Sequence, residues 1–371
     1  MQPDAAVVSG RGPRYFCGTM RSARGERPEP ASRRGILVGG NFTVDRVKLI
    51  ERYPEQDSLA SIVGESISNG GLAFNVLTDL GRLRAGVPLS AVGRVGDDPS
   101  GAWVLGGCRK LGISTAGIRR TPGASTSYTD VMSVRGTGHR TFFHHRGANA
   151  RLDVGDFDFS RTRSKLLHLG YLLLLDRLDR PSRTHGTRAG EVLARAQGAG
   201  LLTSIDVVSE DTDRYRSVVL PALRWVDILF ANEFETEKLT GLRSRDHRGR
   251  LLPGRIREAA DRLLGAGVCR VVIHFGEGAG AFAADGSFAW QGSVRLPKSE
   301  IAGSTGAGDA FAAGFLLGVH EELSIPEALR YGVSVAAASL REPGASRGIG
   351  PLARCFALGA KYGYRRALGR D

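Results

Sequence analysis

The chain has 371 residues, room for one large α/β domain, and its 42% apolar and 24% charged content is that of an ordinary globular protein. A net charge of +13 directs attention to nucleic acid, but the cations are scattered, only six are lysine, and no basic stripe is interleaved with aromatics, so nucleic acid is set aside as a partner. No apolar run of about 18 residues could cross a membrane, and Cys17, Cys108, Cys269 and Cys355 form neither a C-x-x-C pair nor a zinc spacing, which fits a reducing, cytoplasmic setting.

Residues 1–34 are rich in Arg, Pro, Gly and Ser and carry no periodicity. They read as a disordered tail, or as the product of an upstream start with Met20 as the alternative, and they lack the apolar stretch of a secretory leader. Order is expected to begin at Gly35-Ile36-Leu37-Val38-Gly39-Gly40-Asn41, a short apolar run ending in a glycine turn. That is the form of a first parallel strand, and ligands bind beyond the C-terminal ends of such strands. Asp45 stands just past it.

Next come Asn69-Gly70-Gly71-Leu72-Ala73-Phe74-Asn75 and a helical run from Val76, then the strand and turn of Leu89–Asp98. Residues 57–68 and 126–143 differ from this βα pattern. Tyr128–Val134 alternates, Arg135-Gly136-Thr137-Gly138 is a turn, and Arg140–Phe143 returns, which makes a β-hairpin. With Ser61-Ile62-Val63 it would form a small separate sheet. His144 and His145 are neighbours on a strand and point to opposite faces, so they do not share one ion. Arg146 is placed to grip an acidic group bidentately. From 165 onward, strands at Leu166–Leu169, Leu202–Asp206, Ile228–Phe230 and Val271–Phe275 alternate with helices at 184–199 and 255–265, the pattern of a parallel sheet covered on both faces. Asn232 and Glu235 after the third of these have the spacing of a helix-capping box.

The densest chemistry lies in Ile301-Ala302-Gly303-Ser304-Thr305-Gly306-Ala307-Gly308-Asp309-Ala310-Phe311-Ala312-Ala313-Gly314-Phe315. Glycines lead into a small, apolar helix whose first turn carries an acid. Amides in a first turn have no intrahelical partner and form an anion cradle, and Gly306 and Gly308 let the backbone approach the anion. A carboxylate beside such a cradle is poorly placed for stability but well placed to take a proton from an attacking hydroxyl.

This segment closely resembles the C-terminal signature of the phosphofructokinase-B (PfkB), or ribokinase-like, carbohydrate kinases, and the resemblance extends from residue 35 to about 350. It implies a three-layer α/β/α sandwich with a mainly parallel sheet and a small β-sheet lid. The kinase domain would span 35–360, with lid segments near 46–68 and 121–146, and 361–371 would be a C-terminal tail. Asp309 would be the catalytic base, with Gly306, Ala307 and Gly308 as the anion hole. Asp45, Gly70, Gly71, Asn75 and Asn149 would hold the sugar. Asn232, Glu235, Gly276, Gly278 and Thr305 would face ATP, with Glu235 organising Mg²⁺. Gly303 departs from the family pattern, where an Asp belonging to a monovalent-cation site often stands. Leu72-Ala73-Phe74 departs from the ribokinase form Lys-Gly-Ala. The resemblance also implies a homodimer formed through the lid. Two alternatives stand beside the sugar kinase: a nucleoside kinase, with Phe42 or Phe74 as the base-stacking shelf, and a non-catalytic binding module.

Overall fold

Apolar runs bounded by glycine or proline make the strands. The structure, a computed structural model, describes residues 33–137 and 139–368. Ile36–Gly40 (β1), Thr43–Ile50 (β2) and Ile62–Gly70 (β3) precede the helix Leu72–Leu83 (α1). Leu89–Gly96 (β4), Pro99–Lys110 (α2), Ser114–Thr121 (β5), Ser127–Val134 (β6) and Arg140–His145 (β7) complete the first half. The second half begins with Leu166–Leu172 (β8), a short ladder of Pro181–Ser182 (β9) with Gly186–Thr187 (β10), Arg188–Gly198 (α3) and Leu202–Val207 (β11). It continues through Tyr215–Val218 (α4), Ile228–Asn232 (β12), Glu233–Thr240 (α5), Pro253–Gly265 (α6), Arg270–Phe275 (β13), Gly278–Ala283 (β14) and Phe288–Gly292 (β15). Ala307–His320 (α7), Ile325–Ser339 (α8) and Leu352–Tyr362 (α9) close the chain.

A 9-stranded sheet has the order β15-β14-β13-β12-β11-β8-β1-β4-β5. All strands from β13 to β5 run parallel, and β14 and β15 add an antiparallel edge. Alternation along each strand feeds two cores. Ile36 and Val38 join α1, α2, α7, α8 and α9 on one face, while Leu37 joins α3, α4 and α6 on the other. This is the expected three-layer sandwich. Helix α7 is buried from Asp309 to His320 because its small residues admit α8 at close range. A Cβ on Gly314 would lie 2.6 Å from the Tyr331 carbonyl oxygen, and one on Gly318 2.8 Å from Ala328 Cα.

The lid is a 4-stranded sheet, β3-β2-β6-β7. Its surprise is β2, which pairs antiparallel with β3 and parallel with β6 and so lies at the centre. Asp45, which stands just past β1, therefore sits on a lid strand. The 184–199 helix starts only at Arg188, where the Thr187 hydroxyl caps it by accepting the Gly190 amide at 3.1 Å.

Two expected tails need correction where residues are described. Arg33 and Arg34 dock on the 162–164 loop through bonds to the Thr162 and Arg163 carbonyls, while residues 1–32, with Cys17 and Met20, lie outside the described set. Residues 361–368 are not a tail: Tyr364 pairs with Val294 and its hydroxyl lies 2.9 Å from Ser334 Oγ. Among the described residues, no helix is long and apolar enough to cross a membrane.

Candidate active site

The C-terminal ends of β1, β8, β11 and β12, the start of α7 and the underside of the lid meet at one place. Gly306 caps α7 with φ of 73°, a left-handed geometry suited to glycine, and a Cβ there would stand 2.6 Å from Ala345 Cβ. His274 lies beneath Gly308 in the same way, 3.2 Å from the place of its Cβ. The loop thus rests on Ala345 and His274 and keeps its amide face free. The Ala307 N–H, expected in the anion hole, instead donates to the Ser304 carbonyl at 3.2 Å. Among the described residues the Gly306 and Gly308 amides show no such partner.

Asp309 is 2% exposed. Its Oδ2 accepts from Asn75 Nδ2 at 2.8 Å and its Oδ1 from the Tyr171 hydroxyl at 2.6 Å. Burial pushes its carboxyl up to about 6, against the pull of those two bonds toward the ionised form. Asn75 is itself fixed, since its Oδ1 accepts from Asn69 Nδ2 at 2.7 Å, and Asn69 also donates to Ser346 Oγ at 2.8 Å. Tyr171, Asn69 and Ser346 were not singled out from the sequence. The position of Tyr171 at the end of a parallel strand was the one signal that pointed to it.

Asp45 lies across Gly70, where a Cβ would fall 2.1 Å from its Oδ1, so only glycine admits the carboxylate. Burial raises the Asp45 carboxyl to about 7, with the negative charge of Asp309 adding to the rise and a bond from Thr129 opposing it. Thr129 Oγ1 lies 3.0 Å from His144 Nδ1, and burial pushes that imidazole down to about 4, so it is neutral. His145 turns away to Ser125, as the strand alternation requires. Gly71 caps α1 with φ of 75° and lets the chain pass Asn41 and Thr43, whose atoms would lie 2.7 and 2.8 Å from its Cβ.

Three sequence expectations change here. Asn149 is fully buried, and its amide is committed to the Phe42 backbone and Thr43, so it braces the β1–β2 junction rather than facing a sugar. The Arg146 guanidinium is taken up by the Leu173 carbonyl, Asp176 and Glu210. Phe42 and Phe74 are 0% and 3% exposed, so neither offers a stacking shelf.

Asn232 and Glu235, expected to face ATP, form the capping box of α5. Glu235 is 3% exposed, and its Oε1 accepts from Ser209 Oγ at 2.7 Å and Asn232 Nδ2 at 2.9 Å. Burial raises it to about 7, and Asp206 at the end of β11 is raised by burial and by the nearby charge of Glu235. Gly276 opens on empty space, while a Cβ on Gly278 would lie 2.2 Å from the Gln291 carbonyl oxygen, so Gly278 serves the β14–β15 pairing. Beside this turn Arg245 bridges Glu233 and Glu277 at 2.6 and 2.8 Å. Thr305 is half-buried in the anion loop. Among the described residues no group of three or more His, Cys, Asp or Glu could hold a metal by itself.

The fold is thus a three-layer α/β sandwich with a β lid, whose cleft sets an acid at a helix N-terminus. The sequence profile of the pfkB family carbohydrate kinases matches residues 38–350, and the chain belongs to that family. Its relatives include an ATP-dependent ribose-1-phosphate kinase from Halopiger xanaduensis, 26% identical over 84% of this chain and 93% of its own. The ribokinase of Arabidopsis thaliana is 26% identical over 84% of this chain and 77% of its own. Among solved structures, ribokinase from Giardia lamblia superposes with a TM-score of 0.72 at 20% identity, covering 89% of this chain and all of its own. Arabidopsis ribokinase complexed with ribose and ATP gives 0.70 at 22% identity over 88% and 98%.

Proposed function

We propose that this carbohydrate kinase transfers the γ-phosphoryl group of ATP to a hydroxyl of a small carbohydrate, with Asp309 as the general base. The observation that carries the reading is a buried carboxylate at the start of α7, aimed by Asn75 and Tyr171 and lying beside amides of Gly306 and Gly308 that no described residue engages. The acceptor O–H gives its proton to Asp309 as its oxygen attacks the γ-phosphorus. The P–O bond to the β-phosphate breaks and ADP leaves. The amides oppose the charge that develops on the transferred group, a role worth several kcal/mol when one donor supplies about 3.

Asp45, with Gly70 and Gly71 clearing its way, would hold acceptor hydroxyls. Thr305, Gly276 and the Asn232–Glu235 pair would line the ATP side. Asp206 and Glu235 are two buried carboxylates, Asp206 raised by the charge of Glu235 and both by that of Asp309, a gathering of acids that suits a nearby Mg²⁺ held mostly by phosphate oxygens and water. That ion would supply charge neutralisation of the triphosphate. Exposed apolar residues on the lid, Ile62, Ile67, Phe142 and Phe143, support pairing of two lids in a homodimer. The nucleoside alternative loses its support with the burial of Phe42 and Phe74.

The test is ADP release with Mg²⁺ across pentoses, hexoses, sugar acids, sugar phosphates and nucleosides, beside Asp309→Asn. Turnover of a carbohydrate that collapses in the variant is expected. Full silence from a folded, ATP-binding chain would move the reading to the non-catalytic module.

A further inference from the structure

The register of the lid places Arg140 on the same face as Asp45. Asp45 pairs with Thr129, which pairs with His144; Leu49, four residues on, pairs with Ser133, which pairs with Arg140. Side chains alternate across a strand, so these two rows share a face. From the outer row the Arg140 side chain reaches to the anion loop: one guanidinium nitrogen lies 2.7 Å from where a Cβ on Gly303 would stand. Any side chain at 303 would displace it. The departure at Gly303 and the placement of Arg140 are thus one feature.

Arg140 differs from its basic neighbours in having, among the described residues, neither a counter-ion nor an aromatic ring as partner. Lys48 pairs with Asp130, Arg146 with Asp176 and Glu210, and Arg46 lies over the Tyr128 ring at 4.2 Å. Among the described residues no carboxylate comes within ion-pair distance of Arg140, although its charge is felt at Asp45. A half-buried guanidinium facing a ligand cleft, with its donors unclaimed, is matched by a carboxylate or phosphate, which it takes bidentately. A neutral polyol would leave those donors short of acceptors when bound.

We propose that Arg140 selects acceptors that carry an anionic group, phosphate or carboxylate, in addition to the hydroxyl that reacts. The proposal rests on the reading of the cleft as a kinase acceptor site. The experiment compares kcat/KM for matched pairs on the full chain: ribose with ribose 1-phosphate and ribose 5-phosphate, fructose with fructose 1-phosphate and fructose 6-phosphate, and glucose with gluconate. Wild type is expected to favour the charged member of at least one pair by about a hundredfold or more, since a site built to bond a group discriminates strongly against its absence. In Arg140→Ala that ratio should fall toward one, with Arg140→Lys between, because an ammonium lacks the bidentate fork. Gly303→Ser, which fills the guanidinium's place, should lower the ratio in the same direction. A wild type that prefers the neutral members, or an Arg140→Ala variant that lowers both members equally, overturns the proposal.

Calorimetric binding of the same compounds to Asp309→Asn separates the two readings. Charged members that bind this variant, and bind it at least tenfold more weakly once Arg140 is also Ala, support Arg140 even where no turnover is seen. Failure of every charged member to bind refutes it. Turnover of a neutral sugar alone would leave the kinase reading standing and remove the proposal.

Discussion

The proposed acceptor and donor halves of the cleft are built in opposite ways. On the acceptor side, Asp309 is held by Asn75 and Tyr171, partners 234 and 138 residues away in the chain. Their hydrogen bonds exist only because α1, β8 and α7 converge. On the donor side, Asn232 and Glu235 hold one another within a single helical turn, with Ser209 as the outside contact. The acceptor half thus depends on the whole fold to aim one carboxylate. The donor half is a local cap that any helix start with this wording would form, and it leaves the open Gly276 turn beside it. Aim is what proton transfer requires, whereas a flexible triphosphate and its hydrated cation tolerate a looser frame.

The strongest way to break this comparison is Asp309→Asn. It should cut kcat by about 10²–10⁴, the range a positioned general base supplies, while ATP binding measured by calorimetry stays within a few-fold of wild type. A loss of ATP binding would mean that the two halves are not separable. Next in size, Asn75→Ala should lower kcat/KM for the acceptor by roughly 10–100-fold, because a misplacement of the base by about 1 Å can cost about a hundredfold in rate. Glu235→Gln should chiefly raise the KM for ATP, by about tenfold, through loss of the carboxylate near the triphosphate. If Asn75→Ala moved the ATP constant instead, the division into halves would be wrong.

Two smaller effects sharpen the picture through pH. As the proposed base Asp309 must be ionised, and burial raises its carboxyl to about 6, so kcat/KM should fall as pH drops through that value. Tyr171 bonds to the ionised form, so Tyr171→Phe should move the acid limb upward, read from a pH–rate profile. The smallest effect is on stability. Asp45 and Asp309 have folded-state pKa values raised above those of the unfolded chain, to about 7 and 6, so the folded state binds their protons more tightly. Stability from these groups is present below about pH 4 and is lost as pH rises through 6–7. Thermal unfolding of Asp309→Asn should therefore show a gain of about 1–2 kcal/mol over wild type at pH 8 that disappears by pH 4.

Much of the fold was legible because its signals are local. Apolar runs such as Ile36–Val38 and Val271–Ile273, separated by helical stretches, specify a parallel sheet by burial on both faces. The lid hairpin was legible in the alternation of Tyr128–Val134 and its turn. The central place of β2 was not, because Thr43–Ile50 alternates no more strongly than a loop and gains its order from β3 and β6 on either side. Asn149 shows the converse limit: its place at the end of the lid hairpin was legible, but not that its amide would be consumed by the Phe42 backbone.

The sequence alone determined the class of the protein, its sandwich, and the glycine loop that leads into a helix with an acid in its first turn. Those rest on residue types at short spacing: glycines where the backbone must turn or approach, one acid in a first helical turn, alternating apolar strands. Tertiary structure alone decided that Tyr171 and Asn75 share the two oxygens of Asp309, that Gly70 makes room for Asp45, and that Gly303 makes room for Arg140. Each of these is a contact between segments distant in the chain, and one sequence read along its length carries no record of which side chains the packing of separate elements will bring face to face.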